Sequence, residues 1–218
     1  MKLKVPIAPD EQAQTRQQLL EAAGAVFAER GFRSTTVREI CQRAGANIAA
    51  VNYHFGDKEK LYIEVFRYSQ QKAQERYPLL PPVAGLSPEK KLHAFVHSLL
   101  QRMFDNQGAA AWHGQLMLRE MIEPTAALDL VVAEKIRPMS DQLRGLVAEI
   151  LGCPVNSEAV RLCSFSVVSQ CVFYCHCQNV VLRLVPGQTF DSAAATHLAE
   201  YITKFSLAGL KAFRAAKK

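Results

Sequence analysis

The segment from Thr35 to Lys60 concentrates side chains that can bind a phosphate group or the edge of a base. Asn52 can form two hydrogen bonds with adenine, while Tyr53 and His54 can reach phosphate oxygens. Lys58 stands where a helix is expected to begin, so its ammonium and the first helix amides can meet the same phosphate. These residue types favour non-covalent recognition of double-stranded DNA.

Two short helices separated by a glycine must position these side chains. Thr36 and Glu39 have the spacing of a capping box, which fixes the start of the first helix. Gly45 suits the left-handed end of that helix, and Asn47 can cap the next one. The pair is predicted to be a helix-turn-helix whose second helix enters a major groove. A longer helix that ends at Gly31 is expected to brace both.

Sequence signatures around this motif occur in the order in which a known family carries them. They are Phe27–Phe32, Thr35–Ile40, Ala44–Gly45, Tyr53–Phe55 and Lys58–Leu61. Over roughly Gln14 to Phe66 the chain resembles the TetR family of one-component transcriptional regulators. Further on, Arg119-Glu120, Glu123–Ala127 and Leu151–Cys153 resemble the CecR-like subgroup of that family.

The resemblance implies an all-α fold of about nine helices. The sequence itself agrees, because several helical patterns but no convincing strand pair follow Ser87. The expected organisation is a helix-turn-helix domain at residues 11–56, a connecting helix at 57–77 and a ligand-binding and dimerisation domain at 87–218. Prolines clustered from Pro78 to Pro88 cannot continue a helix, so they mark the predicted boundary.

The resemblance also implies that the solvent face of the second short helix contacts DNA. Ala49 and Ala50 offer only methyl contacts to thymine, so DNA shape is expected to contribute more to specificity. One such domain makes too few contacts, so a homodimer on a palindromic operator is expected. The predicted DNA-binding residues are Thr36, Arg38, Asn47, Ala49, Ala50, Asn52, Tyr53, His54 and Lys58.

Members of the family typically release DNA when a small molecule binds in the second domain, which suggests a ligand-responsive repressor. Aromatic and methionine side chains could form an adaptable wall there, and charged or amide groups could orient the ligand. The predicted ligand-binding residues are Phe104, Trp112, His113, Met117, Arg119, Glu120, Met121, Phe165, Gln170 and Tyr174.

The uncharged segment from Leu162 to Leu182 has more apolar face than one small core needs. We expect the last two helices of each chain to form a four-helix dimer interface, in which small residues allow close approach. The predicted dimer contacts are Ser166, Ser169, Phe173, Leu198, Ile202, Phe205 and Gly209.

Cysteines and histidines leave two alternatives open. Cys171 and Cys175 lie one helical turn apart and could share a soft metal or oxidise reversibly. Cys177 lies on the other side of that helix, so buried and unreactive thiols are the competing interpretation. An all-α enzyme or metal-binding protein is the second alternative, although the chain lacks a paired-carboxylate, HExxH, P-loop or nucleophile-elbow pattern. The residues for such a role would be His113, Glu120, His176 and the cysteines.

Composition and charge set the remaining expectations. The 218 residues are 49% hydrophobic and 21% charged, which is ordinary for globular proteins and excludes a disordered or fibrous chain. A formal charge of +6 suits a polyanionic partner, although it is spread along the chain. Residues 1–10 lack the apolar run of a signal peptide. We expect a cytoplasmic protein without membrane association, cofactor, bound metal or enzymatic activity.

Overall fold

The computed structural model describes residues 9–78, 85–105 and 110–214, and within these ranges the regular structure is helical throughout. The all-α prediction is therefore confirmed. The helices are α1 Pro9–Ser34, α2 Val37–Ala44, α3 Ile48–His54, α4 Lys58–Arg76, α5 Pro88–Phe104, α6 Ala110–Ile122, α7 Ala127–Val131, α8 Arg137–Leu151, α9 Glu158–His176, α10 Gln178–Leu184 and α11 Ser192–Lys211, with a π-helical segment Val132–Ile136 before α8.

The chain forms two compact units, and each combines segments that are distant in sequence. The head unit comprises Met1–Lys72 and Ala111–Val131, and the bundle unit comprises Ala73–Ala110 and Val132–Lys218. The predicted boundary in the proline cluster does not coincide with this division, and residues 79–84 lie outside the described ranges. The difference arises because α6 side chains pack on and hydrogen-bond to the helices of the head unit.

Local signals in the head unit act as the sequence predicts. The apolar stripe of α1, which includes Leu19, Ala23 and Phe27, is buried. Gly31 interrupts α1 with a φ of 78° and a ψ of 167°, a left-handed φ that favours glycine. Gly45, with a φ of 64°, ends α2. These two breaks lie before and after α2, the first of the two short helices.

The core of the bundle unit lies between α5, α8, α9 and α11, where Phe95, Val147 and Val167 are buried among other apolar side chains. Pro138 lies in the first turn of α8, directly after the π-helical segment. Because proline has no N–H to close a regular helical turn, the wider π-helical turn accommodates it. The helix therefore changes type at the turn that precedes Pro138.

The uncharged segment from Leu162 to Leu182 lies partly in α9 and partly in α10, which meet at Cys177. Among the residues that the structure describes, no helix combines the length and apolar character needed to cross a membrane.

Candidate nucleic-acid interface

The start of α2 is fixed by the predicted capping box. The Glu39 N–H donates to the Thr36 hydroxyl at 3.3 Å, and the Thr36 N–H donates to the Glu39 carboxylate at 2.8 Å. Hydrogen bonds from the Thr36 backbone and hydroxyl, followed by the charge of Arg30, lower the pKa of Glu39. The Thr36 hydroxyl also donates to this carboxylate at 3.0 Å. Both donors of Thr36 therefore serve the cap in this geometry and are not directed at a phosphate.

The exposed face of α3 carries the side chains best placed to reach DNA. Asn47 caps the helix, because its Oδ1 accepts the Ala49 N–H at 3.0 Å. Asn52 and Ala49 are exposed, and Tyr53 is 71% exposed. Ile48 is also exposed at the start of α3 and was absent from the predicted contacts. Its position beside the N-cap could have indicated a contact with a thymine methyl group.

His54 is half-buried beside Tyr53, and the two ring centroids are 5.0 Å apart. Burial, and secondarily the charge of Arg16, lowers the pKa of His54 below its usual value. At neutral pH the imidazole is therefore mostly uncharged. It can donate one N–H to a phosphate but adds little positive charge to the surface.

Lys58 lies differently from its predicted orientation. Its Nζ donates to the main-chain oxygens of Phe32 and Thr35, each at 2.9 Å. The ammonium also lies 4.4 Å from the centroid of the Phe32 ring, a favourable cation–π distance. Lys58 therefore ties the start of α4 to the last turn of α1 and to Thr35, which follows it. In this structure its role is to hold the motif together, because its charge points inward.

Two ion pairs connect the turn of α1 that precedes Gly31 to the two ends of α2. Arg30 pairs with Glu39 in the first turn of α2. Glu29 pairs with Arg43 in the last turn at 2.7 Å. Arg38, predicted to contact DNA, is exposed on the same short helix. The orientation of α2, and of α3 packed beside it, thus depends on where the end of α1 lies.

The predicted ligand-binding residues on α6 are mostly engaged within the head unit. The Trp112 ring packs against Gly24, where an added Cβ would lie only 2.3 Å from it. His113 hydrogen-bonds through Nδ1 with the Ser69 hydroxyl at 2.8 Å. Met117 is half-buried and Met121 is exposed. Trp112 and His113 thus form part of the packing and hydrogen bonding between α1, α4 and α6.

Arg119 and Glu120 also form hydrogen bonds within the head unit, and they do so with different partners. Arg119 donates to the main-chain oxygens of Ala28 and Glu29 at 2.6 and 2.7 Å. Glu120 is completely buried and accepts a hydrogen bond from the Tyr62 hydroxyl at 2.8 Å. The Thr125 N–H and hydroxyl donate to its other oxygen at 2.8 and 2.9 Å. Their predicted role as ligand contacts is not supported by these satisfied geometries.

Tyr62 completes this buried arrangement. Burial, and then the hydrogen bond to Glu120, raises the pKa of the Tyr62 hydroxyl. The hydroxyl therefore remains protonated and continues to donate to Glu120 over the physiological pH range.

The other predicted ligand-binding residues lie in the bundle unit. Phe104 is buried, and its ring meets Phe190 edge-on with centroids 5.2 Å apart. Gln170 donates to the Ser206 hydroxyl at 3.0 Å, and Tyr174 is half-buried against the core. Phe165 is exposed. Within this unit, Phe104 is a core residue and Phe165 belongs to the surface.

The predicted dimer residues separate into two groups. Leu198 and Ile202 are buried in the core of the bundle unit, so their assignment to an interface is contradicted. The reason is the helical phase, since both lie on the inner face of α11. The exposed members are Ser166, Ser169, Phe173, Phe205 and Gly209.

Geometry gives little support to metal or thiol chemistry. In the described part of the chain, no three or more His, Cys, Asp or Glu side chains are grouped closely enough to hold a metal ion. Cys171 and Cys175 are free thiols. Burial raises the pKa of Cys171 to about 12 and that of Cys175 to about 11. Both therefore stay protonated at neutral pH, whereas a redox-sensing cysteine needs its thiolate.

Two family models match the chain in the order of its elements. Residues 19–65 match the description "Bacterial regulatory proteins, tetR family". Residues 88–210, more than half of the chain, match "HTH-type transcriptional dual regulator CecR, C-terminal domain". The chain belongs to the TetR family, with a CecR-type C-terminal domain. TetR-family proteins are DNA-binding transcriptional regulators and not enzymes, and the exposed face of α3 is the candidate surface for that activity.

Similarity to individual proteins extends along most of this TetR-family chain. The HTH-type transcriptional dual regulator CecR of Shigella flexneri is 28% identical, with 87% of this chain and 88% of the relative covered. The HTH-type transcriptional repressor NicS of Pseudomonas putida is 24% identical, with coverages of 95% and 98%. The crystal structure of a TetR-like transcriptional regulator from Rhodococcus sp. RHA1 has the same fold, with a TM-score of 0.63, 21% identity and coverages of 93% and 99%.

Proposed function

We propose that this TetR-family regulator is a repressor that binds a palindromic operator as a homodimer and is released by a small molecule. It acts in the cytoplasm, on double-stranded DNA. An exposed apolar face on the bundle unit supports the homodimer most directly, because Phe165 is 56% exposed and Phe205 is 61% exposed. The name of the similar NicS protein describes a repressor, which supports that part of the proposal.

The apolar face extends across two neighbouring helices. The hydrogen bond from Gln170 to Ser206 joins α9 to α11 at 3.0 Å. Tyr201 and Phe205 have stacked rings, with centroids 6.3 Å apart. The large exposed apolar side chains of the two helices are Leu162, Phe165, Phe173, Tyr201 and Phe205. A monomer rarely leaves such a surface in water.

A second copy of the chain is the partner that fits this face best. Two α9–α11 pairs related by a two-fold axis form a four-helix interface in which each face contacts its own copy. Such a dimer presents two α3 helices, and two-fold symmetry in the protein matches an inverted repeat in DNA. Ser166, Ser169 and Gly209 on the exposed sides of these helices allow close packing.

Selection from a randomised duplex pool tests the operator proposal. Purified protein should enrich an inverted repeat whose half-sites are separated by about one helical turn or a multiple of it. Binding should weaken steeply with salt, because each neutralised phosphate releases counterions. Enrichment of a single half-site would contradict the palindrome, and absence of enrichment would contradict sequence-specific binding.

Paired lysine substitutions test the dimer interface. Phe205→Lys places a charge in the proposed interface and should convert the dimer to monomers in analytical ultracentrifugation. Val155→Lys changes an exposed apolar residue outside α9 and α11 and should leave the dimer intact. A dimer that tolerates Phe205→Lys would show that α11 does not form the interface.

A promoter fusion combined with ligand screening tests repression and effector response. The promoter that carries the selected operator should be more active when the regulator is deleted. A compound that raises the melting temperature of the protein should also raise its Kd for that operator. The similar CecR protein is described as a dual regulator. Lower promoter activity after deletion of the regulator would therefore indicate activation and would contradict repression.

A further inference from the structure

Arg119 lies outside the helix-turn-helix, yet it binds the main chain of α1, the helix that packs against α2. Its Nε donates to the Ala28 oxygen at 2.6 Å and its Nη2 to the Glu29 oxygen at 2.7 Å. Another guanidinium nitrogen would lie 3.5 Å from a Cβ placed on Gly31. The guanidinium therefore lies against the point where α1 is interrupted, and its charge complements the carbonyl end of the helix dipole.

The turn of α1 that precedes Gly31 is also the turn that holds α2 in place. The Glu29 side chain pairs with Arg43 at one end of α2, and the Arg30 side chain pairs with Glu39 at the other. Each pair is partly exposed and weak by itself. Because both originate in the same turn, a shift of that turn displaces the two ends of α2 together.

We propose that Arg119 is a positioning residue for DNA binding, which acts through the main-chain oxygens of Ala28 and Glu29 on the orientation of α2. Helix α3 packs beside α2 and α1, so it follows this orientation. Arg119 makes this contribution from α6 without touching DNA. The role requires only DNA binding, which the family shares, and depends on neither the repressor assignment nor the effector response.

Substitution of Arg119 by methionine removes the donors and keeps most of the side-chain volume. We expect Arg119→Met to raise the Kd for a selected operator duplex at least about tenfold, which equals about 1.4 kcal/mol. Arg119→Lys keeps a cation that can donate to one of the oxygens, so it should restore most of the affinity. In the absence of DNA, amide hydrogen exchange within α2 should be faster in Arg119→Met than in wild type. Faster exchange would show that α2 is less stably packed.

Arg214→Met is the matched control. Arg214 donates from Nε to the Ile150 oxygen in the last turn of α8 at 3.1 Å, so it performs the same chemistry in the bundle unit. Its loss removes the same charge and should leave the operator Kd within about twofold of wild type. An Arg119→Met Kd within twofold of wild type, or an equal loss in Arg214→Met, would overturn the proposal.

A charge-neutral double substitution tests the connection to α2 even if Arg119→Met does not fold. Glu29→Gln with Arg30→Gln removes both ion pairs and preserves net charge, so long-range attraction to DNA is unchanged. We expect this protein to lose operator affinity about tenfold, and Arg119→Met added to it to cause little further loss. Wild-type affinity in the double variant would overturn the proposal, whereas failure of wild type to bind any duplex would instead contradict its DNA-binding function.

Discussion

Helix α3 and the C-terminal half of α6 both carry polar side chains suited to binding, but the fold uses the two helices in opposite ways. Tyr53 and Asn52 on α3 point to solvent, whereas Glu120 on α6 is completely buried. On α6, Arg119 and Glu120 donate to or accept from groups within the head unit. A polar side chain is available to an external partner only where its own fold has not already supplied one.

The largest expected effect follows from removal of the buried carboxylate on α6. Glu120→Ala leaves the Tyr62 hydroxyl and the Thr125 N–H without their acceptor. We expect the free energy of unfolding to fall by about 3 kcal/mol, because buried donors lose hydrogen bonds that water cannot replace. Urea unfolding at fixed protein concentration measures this change.

The exposed residue Glu123, which follows α6, supplies the control for that experiment. Glu123→Ala should change the free energy of unfolding by less than about 0.5 kcal/mol. A loss below about 1 kcal/mol for Glu120→Ala would mean that its buried hydrogen bonds contribute no more than an average surface contact.

A second expected effect concerns packing of α6 on α1. In Gly24→Ala the new Cβ would lie 2.3–2.5 Å from the Trp112 ring, so the ring must move. We expect a loss of about 2 kcal/mol, despite the higher helix propensity of alanine. The matched change Gly114→Ala, also within a helix, meets no atom within 4 Å and should be neutral or stabilising by up to about 1 kcal/mol. Equal effects in thermal unfolding would show that Trp112 is not fixed against α1.

On α3 the expected effect is on binding and not on stability. Tyr53→Ala should weaken operator binding about tenfold, because the side chain is 71% exposed and available to a phosphate. The free energy of unfolding should change by less than about 0.5 kcal/mol. Tyr53→Phe separates the roles of ring and hydroxyl, since only the hydroxyl can donate to a phosphate. If Tyr53→Ala lowered the free energy of unfolding but left operator affinity unchanged, Tyr53 would have a structural role like that of the α6 residues.

The smallest expected effect is the extent to which the α9 thiols react at neutral pH. With a pKa of about 11 for Cys175 and about 12 for Cys171, little thiolate is present at pH 7.5. Alkylation by iodoacetamide should be at least about 100-fold slower than that of a free thiol. The rate should rise about tenfold per pH unit below the pKa, because the thiolate is the reacting form.

Peptide mapping by mass spectrometry checks this prediction in the intact protein. Cys177, half-buried at the junction of α9 and α10, provides an internal comparison on the same segment. Alkylation of Cys171 and Cys175 as fast as that of a free thiol would reopen the thiol-responsive alternative.

Local residue patterns were sufficient to predict the helices of the head unit. The Thr36 and Asn47 caps, the left-handed glycines and the apolar stripe of α1 all depend on neighbours a few residues away. Such short-range interactions can be predicted from the sequence because helix geometry fixes which nearby residues contact each other. The same patterns also predicted an exposed face on α3.

Only the tertiary structure decided which polar groups remain available. The Lys58 ammonium finds the Phe32 oxygen, 26 residues away in sequence, and Arg119 reaches an oxygen of Ala28, 91 residues away. Helical phase alone likewise could not show that Ile202 is buried while Phe205 is exposed, since packing selects the inner face. The sequence by itself determined where α2 begins and ends and where α3 begins, because those signals are local. The fold decided which side chains stay exposed to an external partner and which bind the protein itself, because partners brought together from distant positions are known only after the chain has packed.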